Sequence, residues 1–390
     1  MKAKTINHYM KLKILFSLTL PFLAGHFTNA QNNLPLIHAT SELVDIREGQ
    51  DFNKGQWTLV PEARPDVYTS SKIGQWVTFY TDMDSISFKV HKDSVYDFII
   101  LLNGKDSAYT QVRYEPSYLD VLKGAAAYDY ADATPIPEYS YQDSSEAVLK
   151  TLRQELKLDS IAGGGNEVSR ILNLMHWIHN LIPHDGNHDN PVVKNAMSMI
   201  RQCRQEERGL NCRGLATVLN ECYLALGIPS RFVTCMPKDS VFNDCHVINM
   251  VYSSDLQKWL WIDPTHDAYI MDEHGVLLGL GEVREKLIKG ETLILNPDAN
   301  WNHKASTVKE YYLLEYMAKN LYRFDCPLRS TYDYETPEKG KTLDYVELIP
   351  LDGYNQSPEF SERTYEQSGM TFRIYKTNNP DQFWVRPKGK

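Results

Sequence analysis

One segment, Cys212 to Ile262, leaves this chain few choices of fold. Leu215, Val218, Leu219, Cys222 and Leu226 recur at the i, i+3, i+4, i+7 and i+11 spacing of a single helix face. Gly227 ends that helix and Pro229 forbids its return. Three strand-like runs follow, Arg231 to Cys235, Val247 to Tyr252 and Lys258 to Ile262. A helix followed by three strands predicts α+β architecture.

The flanking sequence divides the chain. Val148, Leu149, Leu152 and Leu156 form one helical stripe. After Gly163-Gly164-Gly165, Asn166 is placed to cap a second stripe of Val168, Ile171, Leu172, Met175, Ile178 and Ile182, which Pro183 stops. The three glycines lack the spacing and the Lys of a phosphate-binding loop and read as a helix-separating turn. Upstream, Ile86, Phe88 and Val90 alternate with polar residues, and Asn103-Gly104 joins two strand-like runs as a hairpin turn. Residues 31–140 therefore read as a β-rich N-terminal domain that ends in a linker around Pro135 and Pro137. Residues 141–390 read as a second domain with a C-terminal extension, in which Thr307-Val308-Lys309-Glu310 is a capping-box pattern and Leu343 to Ile349 a late strand.

Residues 1–30 have the pattern of a signal peptide. Lys11 and Lys13 precede an apolar run from Ile14 to Ala24, shorter than a membrane span needs, and Thr28-Asn29-Ala30 is a small-x-small cleavage pattern. No Cys stands near it for a lipid anchor, and no second long apolar run suggests a transmembrane span. The expected destination is exported: periplasmic, cell-surface or secreted. A net charge of −9 without a basic tract argues against nucleic acid as a partner, because phosphate contacts need clustered Lys and Arg. Export permits disulfides, and Cys235 to Cys245 is one candidate bridge among the six cysteines.

Chemistry is concentrated at Cys212, His246 and Asp263. Cys212 opens a helix, where free N–H groups and a partial positive charge favour a thiolate. Ser253-Ser254-Asp255-Leu256 reads as a tight turn. If Ser253 faces Leu256, then His246 faces Asp263, Ile248 faces Trp261 and Met250 faces Trp259. A carboxylate opposite an imidazole at the end of an apolar face fixes its tautomer and stabilises its cation. Such a trio suits acyl transfer through a thioester.

Four segments resemble the transglutaminase-like superfamily, a branch of the papain-like cysteine enzymes. They are His176 to Ile182 with Trp177, Gly209-Leu210-Asn211-Cys212-Arg213-Gly214, Leu226-Gly227-Ile228-Pro229-Ser230-Arg231 and Trp261-Ile262-Asp263-Pro264-Thr265. The resemblance spans residues 145–270. It implies Cys212 as nucleophile, His246 as general base and acid, and Asp263 as the orienting carboxylate. The backbone N–H of Cys212 is one oxyanion donor, and Trp177 and Asn211 are candidate substrate or oxyanion-hole residues. Two departures stand out: Gly209 lies three residues before the Cys, and Val247-Ile248 follows the His where the family often has Ala-Trp. No cofactor and no metal is implied, and the partner is a peptide or protein substrate, with cell-envelope or glycan association also open. The expected activity is protease- or amidase-like hydrolysis. The alternatives are protein-glutamine cross-linking, a non-catalytic binding module, and metal-dependent hydrolysis at the loop His184-Asp185-Gly186-Asn187-His188-Asp189.

Overall fold

The computed structural model describes residues 34–388, apart from Ala126 and the segments 239–244 and 352–359. The leader read at residues 1–30 lies outside the described residues. The chain divides into two compact units, residues 1–115 and 116–390. The division falls upstream of residue 140, where the sequence placed it. The segment after Glu115 already belongs to the second unit: Leu122 lies in that unit's core, Ile136 and Tyr139 pack against it, and Ser140–Tyr141 pairs with Arg329–Ser330.

In the first unit, Leu36–Ala39, Val95–Leu102, Asp106–Tyr114 and Asp66–Ser70 form one four-stranded sheet in that order around Val95–Leu102 and Asp106–Tyr114. Asp51–Thr58, Leu43–Glu48, Trp76–Tyr80 and Ser85–Lys89 form the other. Val44, Ile46, Val77 and Phe79 share one apolar core with Phe98, Ile100, Ala108 and Val112. The Asn103-Gly104 turn is present, with φ of 53° and 66°, the left-handed values that a tight hairpin demands.

The second unit is α+β. Its seven-stranded sheet runs Lys258–Ile262, His246–Ser253, Ser230–Met236, Arg323–Pro327, Thr342–Leu348, Met370–Thr377, Ser361–Tyr365. Helices Ala147–Glu155, Glu167–Leu181 and Ala196–Glu206 surround the Cys212–Ala225 helix, which packs against the sheet. Alternation sends Val247 and Val251 towards that helix and His246, Ile248 and Met250 to the opposite face, where Val283, Leu287, Tyr312 and Met317 pack.

The Cys212–Ala225 helix is buried on every side from Gly214 onwards, more than a single stripe predicts. Its polar residues are matched accordingly. The Glu221 carboxylate accepts the backbone N–H groups of Ala196 (2.7 Å) and Asp333 (2.8 Å). Burial still pushes that carboxyl up to about 8.

Three expectations are corrected. Ser253 faces Lys258, so the turn is two residues longer; Met250 rather than Ile248 faces Trp261, Tyr252 faces Trp259, and the pairing ends at Asn249–Ile262, so His246 and Asp263 are not a directly opposed pair although their side chains meet. A shift of two leaves every side chain on its expected face, whereas a shift of one would reverse them all. All six cysteines are free thiols, so no bridge joins Cys235 to Cys245, and Cys235 lies in the core at the position opposite His246. Thr307 does not form the capping box: its hydroxyl meets His266 Nδ1 at 3.2 Å, and the turns that follow are wound as a π-helix over Tyr311–Met317.

Candidate active site

Asn211 starts the central helix. Its Oδ1 accepts the Gly214 N–H at 3.2 Å and an Asn190 amide proton at 2.6 Å, while Asn190 Oδ1 accepts the Asn211 N–H at 3.0 Å. Gly214 makes this clasp possible, since a Cβ there would stand 2.6 Å from Asn190 Oδ1. The clasp leaves Cys212 as the first helical residue, at the positive end of the helix.

Burial alone would push the Cys212 thiol upward. Hydrogen bonding from His184 and His246, the charge on His246 and the backbone N–H of Val247 reverse that and bring it down to about 6. His246 is buried, which disfavours its cation, yet the Asp263 charge and hydrogen bonds to Asp263 and Cys212 raise it to about 10. Its Nε2 lies 2.8 Å from Asp263 Oδ2. Nδ1 is buried and has no hydrogen-bond partner among the described residues, and Cys212 is one of the groups that raise the ring. The Asp263 carboxylate is held well below its ordinary range, against its burial, by His246, by the nearby His266 and by Tyr312. Tyr312 donates its hydroxyl to Oδ2 at 2.6 Å, and the Thr265 N–H reaches Oδ1 at 2.9 Å.

His246 is flanked by Tyr316 and His266, with ring centroids 5.2 and 5.9 Å away. Burial pulls His266 down to about 4, so it stays neutral beside the charged ring. The aromatic surroundings missing after His246 in the sequence are thus supplied from a later segment.

His184 joins the site although sequence reasoning placed it in a polar loop. The Asp185 N–H donates to Leu210 O (2.8 Å) and the Leu210 N–H to Pro183 O (3.2 Å), a short parallel bridge that sets His184 beside the residues leading to Cys212. Gly209 permits it, since a Cβ at that position would stand 2.3 Å from Pro183 O. Asn302 clamps both backbone groups of His184, accepting its N–H at 2.6 Å and donating to its carbonyl at 2.8 Å. His184 Nδ1 is buried without a further partner among the described residues. The one available signal was the unusual position of Gly209.

Trp177 is half-buried and packs against the helical core. Asn211 adjoins Cys212 and spends its amide oxygen on the cap. In the loop once considered for metal, His188 pairs with Asp185 at 2.6 Å on the surface, and the described residues contain no cluster of three or more metal-ligating groups.

A helix-starting Cys coupled to a His–Asp pair on the adjoining sheet is the arrangement of papain-like thiol enzymes. Residues 154–264 match the core model of the transglutaminase-like superfamily. No curated protein matches the sequence. Among solved structures the chain is similar to a candidate cysteine protease from Cytophaga hutchinsonii, at 19% identity over 38% of this chain and 48% of that one, with a TM-score of 0.24. It is also similar to a candidate protease from Parabacteroides distasonis, at 13% identity over 58% and 39% with a TM-score of 0.22. A third similarity is to red sea bream transglutaminase, at 11% identity over 64% and 52% with a TM-score of 0.21. The chain thus spans about half or less of the length of these relatives.

Proposed function

We propose that the protein is an exported thiol enzyme that cleaves peptide-type amides through a thioester on Cys212. One observation carries this reading: Cys212 opens the central helix and His246 Nε2 lies 2.8 Å from Asp263 Oδ2, an arrangement that brings the thiol down to about 6 and raises His246 to about 10. At neutral pH the pair rests as thiolate and imidazolium. The thiolate adds to the amide carbonyl, forming the C–S bond. The oxyanion is met by the Cys212 backbone N–H. His246 then passes its proton to the departing nitrogen as the C–N bond breaks. Water attacks the thioester with His246 as base, the C–S bond breaks, and the acid leaves. Asp263, itself held by Tyr312, keeps the ring aligned through both halves.

The preference for hydrolysis over amine transfer, and the export, rest on the resemblance and on the leader. The test is incubation of the full chain with a peptide mixture and a labelled amine. New peptide amino termini are expected. Label incorporation without them would point instead to cross-linking. Cys212→Ala should lower turnover by roughly 10⁴-fold or more, and persistence of turnover in that variant overturns the assignment.

A further inference from the structure

Beside Cys212 the sheet leaves an open cleft of about 790 Å³ that the thiol chemistry does not use. One wall is apolar, with Leu343, Tyr345, Met370, Phe372 and Ile374, and Cys212 packs against the buried cluster to which Leu343, Tyr345 and Met370 belong. The other wall carries Glu335, Asp325 and Arg213. Glu335 is only 6% exposed. Its Oε1 accepts Arg213 Nη1 at 2.6 Å and the Tyr345 hydroxyl, while Oε2 is buried without a partner among the described residues. Asp325 bonds Thr234, and its Oδ1 is likewise buried and unpartnered among the described residues.

Arg213 does not bond these oxygens: of its five N–H groups, one on Nη1 goes to Glu335 Oε1 and one on Nη2 to Thr234 Oγ1 at 2.8 Å. The neighbouring Glu347, in register with Asp325, is taken by Arg323. Lys194 is half-buried and Arg363 exposed where they line the cleft, and the exposed Glu366 lies there with them. Two residues that line one cleft thus each keep a buried carboxylate oxygen without a donor among the described residues, and an orphaned buried acceptor is costly.

We propose that this cleft is a substrate subsite for a primary ammonium group, held by Glu335 and Asp325 with its apolar remainder on the Leu343–Phe372 wall. The ammonium is either a peptide's free amino terminus or a lysine-type side chain. As a subsite the cleft rests on the thiol reading; its binding of an ammonium does not. The test is calorimetric titration of the full chain carrying Cys212→Ala, so that nothing turns over, with three probes: Phe-Ala amide, N-acetyl-Phe-Ala amide and N-acetyl-Lys-Ala amide. At least one amine-bearing peptide should bind roughly tenfold or more tightly than N-acetyl-Phe-Ala amide. Which of the two does so tells terminus from side chain. Asp325→Asn and Glu335→Gln, each added to Cys212→Ala, should shrink that preference to about threefold or less. Equal affinity for all three peptides, no binding of any at millimolar concentration, or a preference that survives both substitutions overturns the proposal. Iodoacetamide labelling of Cys212 in the unsubstituted protein is read separately. Fast labelling without an ammonium preference sinks the subsite alone, and slow labelling with the preference intact sinks the thiol reading alone.

Discussion

Cys212 is under two opposed influences. Its surroundings withdraw water, which favours the thiol, and present donors and a neighbouring cation, which favour the thiolate; the second group prevails. Burial pushes Cys203, Cys222, Cys235 and Cys326 the other way. Iodoacetamide should therefore label Cys212 ahead of those four at neutral pH. Its rate should rise with a midpoint near 6 rather than the ordinary 9.0. The sign follows from the protons: below the midpoint the sulfur is reprotonated and the rate falls. Above about 10 His246 loses its proton, so amide turnover should decline while alkylation does not. Those two limbs belong to the coupled pair rather than to either residue alone. His246→Ala should move the alkylation midpoint upward, because the neighbouring cation is gone. An unchanged midpoint would remove His246 from the site.

At the scale of elements, the helix and its three following strands were legible because their periods of 3.6 and 2 are written in neighbouring residues. The turn between the last two strands was not. Gln257 takes a left-handed φ of 54° without being Gly or Asn, so nothing in the sequence marks the longer connection. The bridge that carries His184 depends on Gly209 in the same hidden way. Gly209→Ala would drive a methyl to 2.3 Å from a backbone oxygen and 2.8 Å from Asp185 Cβ. Backbone cannot swing aside as a side chain can. The bridge should open at a cost of about 1–3 kcal/mol, seen as a lower denaturant midpoint. With His184 displaced, the alkylation midpoint of Cys212 should also rise. A stability loss with no change in that midpoint would show that His184 does not act on the thiol.

At the scale of the whole molecule, the first unit's core is built entirely from residues before 116, and the cores of the second unit entirely from residues after it. Residues 116–390 expressed alone should therefore fold and keep the reactive thiol. A fragment that begins at residue 141, the boundary suggested by the sequence, should not. It removes Ala125 O, which accepts from the buried guanidinium of Arg284, and the Tyr139 ring, which lies 4.1 Å from that of Arg231. Two buried cations left short of partners are a severe defect. Circular dichroism and thermal melting of the two fragments check this, and equal melting of both would refute it.

Periodicity, capping residues and the order Cys212, His246, Asp263 were determined by the sequence itself, since each depends on residues close along the chain or on a motif kept intact within it. The resemblance carried by short runs such as Trp261-Ile262-Asp263-Pro264-Thr265 was legible for the same reason. Only the tertiary structure decided that Tyr312, 49 residues beyond Asp263, donates to its carboxylate, that His184 reaches the thiol, and that Glu335 and Asp325, each with an unpartnered buried oxygen among the described residues, line one cleft. Those partners meet because the sheet and its covering helices close distant segments onto one another, and no local period records which segments will meet.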